Sequence, residues 1–168
     1  MKKILAIDPG EVESAWVEYL PEIQQIVSHG KTTNEGVMNV LIRSEPSDFA
    51  IEMVQCFGMP VGRETFETCL WIGRFLWEFE RFEYKGINPS PVKTAKIFRK
   101  TVCGHICNNA CAKDSNIRQA LIDRFGGSKE KAIGFKKSPG PLYKMCEDAR
   151  SALAVAITYA ETNEKGGA

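Results

Sequence analysis

The sequence lacks a large charge of either sign. It has 22 Lys and Arg residues against 21 Asp and Glu residues, which gives a formal net charge of +1. Proteins that bind nucleic acid usually carry a basic excess, so the total charge argues mildly against DNA as a partner. The distribution changes this view, because the stretch from Lys85 to Lys144 is rich in Lys and Arg and holds only three acidic residues. A neutral total can therefore hide the basic face that phosphate binding requires.

Long apolar runs are also missing. No run approaches the roughly 20 residues that a membrane-spanning helix needs. The amino terminus reaches an acid, Asp8, after four apolar residues, which is not the pattern of a signal peptide. Six cysteines without a secretory signal are typical of reduced cytosolic thiols. We therefore expect a cytoplasmic protein with no membrane partner.

Internal repeats and linkers are absent as well. A chain of 168 residues is long enough to bury a core and fits a single domain, which we expect over residues 1–168. Apolar runs, periodicities and turn residues then predict the elements. The expected strands cover residues 4–7, 14–20, 23–29, 49–53 and 84–87, the expected helices residues 33–43, 62–82, 92–102, 115–125 and 148–161, with a mobile polar loop at 126–141. Three strands in series followed by alternating helices and strands predict an α/β fold. Its mixed central sheet, with three antiparallel strands and then parallel ones, is flanked by helices.

Acidic residues stand at three of these element ends. Two apolar strands meet Asp8 and Glu52, and the last helix begins with Asp148. If the two strands are neighbours, Asp8 and Glu52 lie side by side. Phosphodiester hydrolysis needs a neutralised phosphate and a nucleophilic water, which two divalent cations roughly 3.5–4 Å apart provide. Magnesium prefers carboxylate oxygens. The alternatives stay open, since Asp8 could be a turn residue, Glu52 a chance acid and Asp148 a helix cap.

The sequence around these acids resembles the RuvC-type Holliday junction resolvases. Residues 4–10, ILAIDPG, resemble the first strand of that family, and residues 151–158, SALAVAIT, resemble its last helix. A phage and prophage group of RuvC-like proteins is more similar still. The segments that carry this similarity are residues 50–53, 59–69, 112–121 and 138–143. Together the segments span nearly the whole chain in the expected order.

The resemblance implies a ribonuclease-H-like fold, a homodimer, Mg²⁺ with Mn²⁺ as a substitute, and paired nicks at a four-way DNA junction. By position, it implies that Asp8, Glu52 and Asp148 are metal ligands and that Lys113 contacts the phosphate near the scissile bond. It further implies a phage or prophage protein that works in the cytoplasm of a bacterial host and removes branches from the genome.

The sequence departs from the pattern of the bacterial resolvases at two positions. Their last helix carries a second Asp three residues after the first, and here that residue is Ser151. Serine is a weak neutral ligand, so Ser151 is a fourth metal ligand of lower strength, although the phage proteins also lack the second Asp. Cys103 occupies the place of a family Lys, and a thiol cannot hold a phosphate as a cation would. Lys100 could supply that charge, or the match could shift to Val92-Lys93.

Further DNA contacts are expected from basic and aromatic residues near these segments. Lys113 and Arg118 could simply be solvated near a helix start, but the resemblance favours phosphate contact for both. Lys136 and Lys137 precede Asp148 in a loop, where they are either solvated or in contact with DNA. Phe57 follows Glu52 in a glycine-containing loop and is a candidate wedge for an opened junction.

Two other patterns leave alternatives open. Apolar residues surround more than one face of the helix at 62–82, which indicates either a buried core helix or a helix that packs on the sheet and on a partner. Cys103, His105, Cys107 and Cys111 invite a zinc interpretation, but their spacing is not the Cys-x-x-Cys pairing of zinc ribbons, and buried thiols are common.

The sequence thus predicts a dimeric, metal-dependent junction-resolving endonuclease. With Ser151 and Cys103, the alternative is a branched-DNA-binding protein of the same fold with little nuclease activity. A third possibility is half of a sugar-kinase-like or actin-like ATPase, because that fold also opens with a strand ending in Asp-x-Gly. The chain is too short for the two-lobed ATPase and lacks its phosphate-binding glycine loops.

Overall fold

A five-stranded mixed sheet forms the centre of the molecule. The computed structural model describes residues 1–56, 58, 60–84 and 93–164, without the side chains of residues 82–84 and 164. The sheet has the order β3-β2-β1-β4-β5, in which β1, β2 and β3 are antiparallel and β1, β4 and β5 are parallel. Its strands are β1 (Ile4–Asp8), β2 (Glu13–Leu20), β3 (Gln25–Thr33), β4 (Asp48–Met53) and β5 (Lys93–Phe98). The predicted α/β class and mixed sheet are confirmed.

Six α-helices, a short 3-10 helix at Pro21–Ile23 and a small hairpin complete the described part of the chain. The helices are α1 (Asn34–Ser44), α2 (Arg63–Tyr84), α3 (Arg99–Cys107), α4 (Asp114–Phe125), α5 (Lys129–Ala132) and α6 (Glu147–Glu164), and the hairpin is formed by β6 (Gly134–Phe135) and β7 (Ser138–Pro139). Thr33 caps the first of these helices, since its Oγ1 accepts a hydrogen bond from the Gly36 amide at the start of α1. Within the described residues, no helix is long and apolar enough to cross a membrane.

The core lies in two layers on opposite faces of the sheet. Side chains alternate across a strand, so Ile4 and Ala6 of β1 pack towards α6, while Leu5 and Ile7 pack towards α1 and α2. Burial on both faces explains why β1 is apolar throughout. Small residues such as Ala152 and Ala156 are fully buried on α6 and let this helix lie close to the strands. The same alternation aims Asp8 at the layer that contains α6.

Three of the predicted elements need correction. The expected helix at 92–102 is wrong, because Lys93–Phe98 is a strand that pairs in parallel with β4 and the helix begins only at Arg99. Pairing with the free edge of β4 outweighed the helical pattern, and only Ile97 of this edge strand is buried. The expected strand at 84–87 fails at Tyr84, which ends α2, and its other residues lie outside the described residues. The expected loop at 126–141 contains α5 and the β6–β7 hairpin.

Candidate active site

The site is built on one row of residues across the sheet. Because β1 and β4 are hydrogen-bonded parallel neighbours with Ile7 opposite Ile51, Asp8 and Glu52 follow at the same level. Both therefore stand side by side at the carboxyl ends of their strands, as the sequence predicted. Continuing the row through Ala15 of β2 leads to Lys31 of β3. The tight turn after Asp8 requires a glycine at Gly10, because a Cβ there would collide with the carbonyl oxygen of Glu13.

The third predicted acid joins this row from the helix layer. Asp148 lies in the first turn of α6 and lines, with Asp8 and Lys31, a cleft of about 230 Å³. Burial raises the pKa of Asp8 from 3.8 to about 7, with further contributions from the negative charges of Glu52 and Asp148. Burial also raises the pKa of Glu52, against the opposing effect of the Arg99 guanidinium. The fold thus brings three carboxylates close together, and their combined negative charge favours the binding of a cation.

Two basic residues that the sequence analysis did not select extend into this cluster. Lys31 Nζ lies 2.8 Å from Asp148 Oδ2. Arg99, the first residue of α3, lies 3.5 Å from Glu52 Oε2, donates to Ser151 Oγ at 3.2 Å and forms an ion pair with Asp114. A correct assignment of β5 would have identified Arg99, because it follows that strand directly. Lys31 emerges only when the register of three strands is known.

The donor atoms suit a hard divalent cation, although the side chains are not arranged as a complete coordination sphere. Asp8, Glu52, Asp148 and Ser151 offer only oxygen, which is what Mg²⁺ and Mn²⁺ prefer. In the described residues, no three side chains of His, Cys, Asp or Glu converge on one point that could hold a metal ion. Asp148 and Glu52 instead face Lys31 and Arg99. The residues therefore fit a metal by chemistry and charge, with chain cations beside two of the expected ligands.

The predicted DNA contacts fall in three places. Lys113 is exposed immediately before Asp114, and Arg118 lines a narrow crevice with Asp114 and Ser151, so both lie beside the cluster. Lys100 is exposed in the first turn of α3. Lys136 and Lys137 form the exposed turn between β6 and β7, next to an aromatic ring, Phe135, that is 67% exposed and was not predicted. Phe57 lies outside the described residues.

Two members of the cysteine and histidine group, Cys103 and His105, make contacts within the fold. Cys103 is buried, and its thiol donates to the carbonyl oxygen of Ala112 at 3.5 Å, so it does not face a phosphate. His105 Nε2 lies 2.6 Å from Glu161 Oε2 on α6. Across the part of the chain that is described, the group forms no metal site. The structure gives the zinc interpretation no support.

Helix α2 presents two apolar stripes on opposite sides. Its buried stripe, which includes Ile72, Phe75 and Phe79, packs on the sheet. A second stripe is exposed on the opposite side and consists of Phe66, Leu70, Gly73 and Trp77. These four residues, hereafter the α2 stripe, follow the spacing of four and three residues that is typical of helix–helix contacts. The helix therefore packs on the sheet with one stripe and leaves the other uncovered, and contact of the α2 stripe with a partner stays a prediction.

Comparison with known proteins identifies solved structures that share this fold. The sequence matches no protein-family model and no curated protein. Solved structures do match. RuvC of Thermus thermophilus superposes with a TM-score of 0.65 at 16% identity, over 98% of this chain and 96% of that chain. The Fowlpox virus resolvase, solved with Holliday junction DNA, superposes with a TM-score of 0.54 at 16% identity, over 96% of this chain and 98% of that chain. The yeast mitochondrial Holliday junction resolvase superposes with a TM-score of 0.58 at 12% identity, over 94% of this chain and 77% of that chain.

The chain therefore has the ribonuclease-H-like fold of the Holliday junction resolvases. Its structural neighbours are RuvC and the resolvases of a poxvirus and of yeast mitochondria, so the predicted resemblance to RuvC-type proteins is confirmed. Placement in the phage and prophage group stays a prediction. At identities of 12–16%, the similarity establishes the fold.

Proposed function

We propose that this protein is a divalent-metal-dependent endonuclease that resolves four-way or otherwise branched DNA. The observation that carries the proposal is the meeting of Asp8, Glu52 and Asp148 at the carboxyl ends of β1 and β4 and the start of α6. These carboxylates come from distant parts of the chain. Their mutual repulsion destabilises the metal-free fold, and a function that uses a cation explains why they are together. The shared fold of Holliday junction resolvases agrees with this assignment.

In this proposal the acid cluster would hold Mg²⁺, or Mn²⁺ in its place, through Asp8 and Asp148 on the side of the open cleft, while Glu52 and Ser151 face Arg99. When bound, the ion supplies positive charge to the scissile phosphate and lowers the pKa of water. Asp8, the most buried of the acids, fixes the ion relative to the sheet. Lys113 and Arg118, beside the cluster, position the phosphate through charge. The open cleft next to Asp148 admits the DNA backbone.

The basic residues around the site supply the binding face that the neutral total charge conceals. Lys100, Lys113 and Arg118 lie near the acids, and Lys136 and Lys137 stand on the hairpin that precedes α6. Their number gives binding that weakens with salt, as counterion release requires. Phe135 at the same hairpin provides an aromatic surface for an unstacked base.

We propose that the active form is a homodimer joined through the α2 stripe. An exposed row of Phe66, Leu70 and Trp77 is unusual on a monomer, and Gly73 in its centre permits close approach of a second helix. A two-fold axis there gives each subunit one strand of a junction that has near two-fold symmetry itself. We place this activity in the cytoplasm of a bacterial cell, in the service of a phage or prophage genome.

Cleavage of a synthetic four-way junction tests the proposal. Wild-type protein with Mg²⁺ or Mn²⁺ should introduce paired nicks, and EDTA should stop them. Asp8→Asn should slow cleavage by on the order of 10²-fold or more, the effect of losing one preorganised electrostatic group. Asp123→Asn, an exposed acid on α4, is the matched control and should cleave normally. Equal cleavage by wild type and Asp8→Asn would exclude the site.

One observation favours a second candidate, a branched-DNA-binding protein with little nuclease activity. Lys31 and Arg99 already neutralise part of the charge of Asp148 and Glu52. A cluster satisfied by chain cations has less need of a metal. In that case, wild type binds junctions in gel-shift assays with and without EDTA, and no nick appears.

A further inference from the structure

Arg99 holds a position between three side chains of the acid cluster. Its guanidinium donates to Ser151 Oγ at 3.2 Å, lies 3.5 Å from Glu52 Oε2 and pairs with Asp114. The three partners come from α6, β4 and α4, so the side chain connects three elements. The planar fork of a guanidinium suits such simultaneous contacts.

The local backbone does not favour a cation at this position. Arg99 begins α3, where the positive end of the helix dipole repels basic side chains. The first turn of α3 contains no acidic residue, and Phe98 provides no side-chain cap. The position of Arg99 is therefore explained by the carboxylates it faces and not by helix capping.

The two halves of the cluster differ in the space they offer. Asp8 and Asp148 line the cleft of about 230 Å³, and Lys31, at its edge, has a side chain that is 40% exposed. A hydrated ammonium on a flexible stem can give way to an ion. On the other side, Glu52 Oε2 and Ser151 Oγ both face the Arg99 guanidinium, at 3.5 and 3.2 Å. The half with Asp8 and Asp148 opens on a cleft, while the half with Glu52 and Ser151 already faces a positive charge.

We propose that Arg99 is a built-in cation of the acid cluster, so that each chain binds one divalent ion, on the side of Asp8 and Asp148. The inference rests on the proposed nuclease function and deepens it. Next to Glu52 and Ser151, the positive charge of Arg99 replaces the charge that a second ion would supply.

Counting bound Mn²⁺ on the full chain tests the inference without measuring activity. Titration with Mn²⁺, followed by electron paramagnetic resonance and calorimetry, should give one ion per wild-type chain. Arg99→Gln removes the fixed charge and should bind a second ion or bind the first about tenfold more tightly. Arg99→Lys retains the charge and should stay at one ion. Arg43→Gln, an exposed arginine at the end of α1, removes the same charge elsewhere and should match wild type.

Two results would overturn the inference. Two ions on wild type, with the same count and affinity in Arg99→Gln, would show that the guanidinium does not replace an ion. This result leaves the nuclease proposal intact if wild type still cuts junctions and Asp8→Asn does not. An absence of bound Mn²⁺ in all the variants would also overturn it, and the nuclease proposal falls with it only if wild type fails to cut. If Arg99→Gln does not fold, two ions on wild type are sufficient to overturn the inference.

Discussion

Asp8 and Glu52 stand at the same level on two hydrogen-bonded parallel strands, and the charge of Glu52 contributes to the raised pKa of Asp8. Strand pairing enforces this proximity, because neither residue can leave the row without breaking the register of β1 and β4. The core of the protein therefore holds together two groups that repel each other. As a consequence, the acid cluster lowers the stability of the protein when no cation is bound.

We expect Asp8→Asn to stabilise the metal-free protein at neutral and higher pH. The folded pKa of Asp8 is about 7 against an ordinary value of 3.8, so protonation favours the folded state. The stability present below pH 4 is lost as pH rises through 7. The difference between these two pKa values corresponds to a change in the free energy of unfolding of at most about 4 kcal/mol. Urea unfolding in EDTA should show Asp8→Asn more stable than wild type at pH 8, with a smaller gap at pH 4.5.

The control for this experiment is Asp123→Asn, which removes an exposed carboxylate from α4 and should change stability little at either pH. Adding Mn²⁺ at pH 8 should raise the stability of wild type but not of Asp8→Asn. An Asp8→Asn protein that is less stable than wild type at pH 8 without metal would contradict the repulsion described above.

We expect Tyr159→Phe to lower stability without altering the acid cluster. Tyr159 donates from α6 to Asp48 Oδ2 at 2.7 Å, and Lys2 Nζ lies 2.6 Å from the same oxygen. Asp48 is buried, so losing one of these partners should cost about 1–3 kcal/mol. Asp48 begins β4 and Glu52 lies near its end, about 13 Å away along the strand. Mn²⁺ binding should be unchanged, and Tyr143→Phe, on a half-buried tyrosine, is the control.

The first strand and the last helix were predictable because their patterns are local. An apolar run that meets Asp8 and an alanine-rich helix that follows Asp148 keep their meaning in any context. The row of Asp8 and Glu52 needed one further assumption, that β1 and β4 pair, and the structure confirms it. That these acids bind metal stays a prediction.

The neighbourhood of the acids could not be predicted, because it depends on pairing between distant segments. Lys93–Phe98 contains residues compatible with either a helix or a strand, and the edge of β4 decided the outcome. The misassignment moved the start of the next helix and concealed Arg99. Lys31 is separated from Asp148 by more than a hundred residues, and only the fold shows that they form an ion pair.

We expect Gly73→Leu to weaken self-association while increasing the stability of the isolated chain. A Cβ at Gly73 meets no atom within 4 Å, so the fold accepts a side chain there. Replacing glycine inside α2 should contribute about 0.5–1 kcal/mol to helix stability. In the proposed dimer the leucine separates the two helices. Sedimentation equilibrium should show a dimer dissociation constant at least about tenfold higher than that of wild type, that is a loss of about 1.4 kcal/mol in association free energy.

A charge on the same stripe should act in the same direction. Leu70→Glu places two like charges at the proposed interface, and Ile42→Glu, on an exposed isoleucine of α1, is the matched control. The control should associate like wild type. A wild-type protein that sediments as a monomer at all micromolar concentrations would remove the basis for the dimer.

The β6–β7 hairpin carries two lysines for phosphate contact and one aromatic ring for base stacking, and measurements of junction binding should distinguish these two contributions. Changing both Lys136 and Lys137 to Gln should reduce the slope of log affinity against log salt by about 1.8 if both contact phosphates of a duplex arm. Phe135→Ala should weaken binding by about 1–3 kcal/mol if the ring stacks on a base, and it should leave the salt slope unchanged. Fluorescence anisotropy with a catalytically silent Asp8→Asn background and a labelled junction in EDTA measures both, and Arg43→Gln is the control for net charge. If the salt slope and the affinity of both hairpin variants equal those of the background protein, the hairpin does not contact DNA, and the binding face must be limited to the basic residues around the acid cluster.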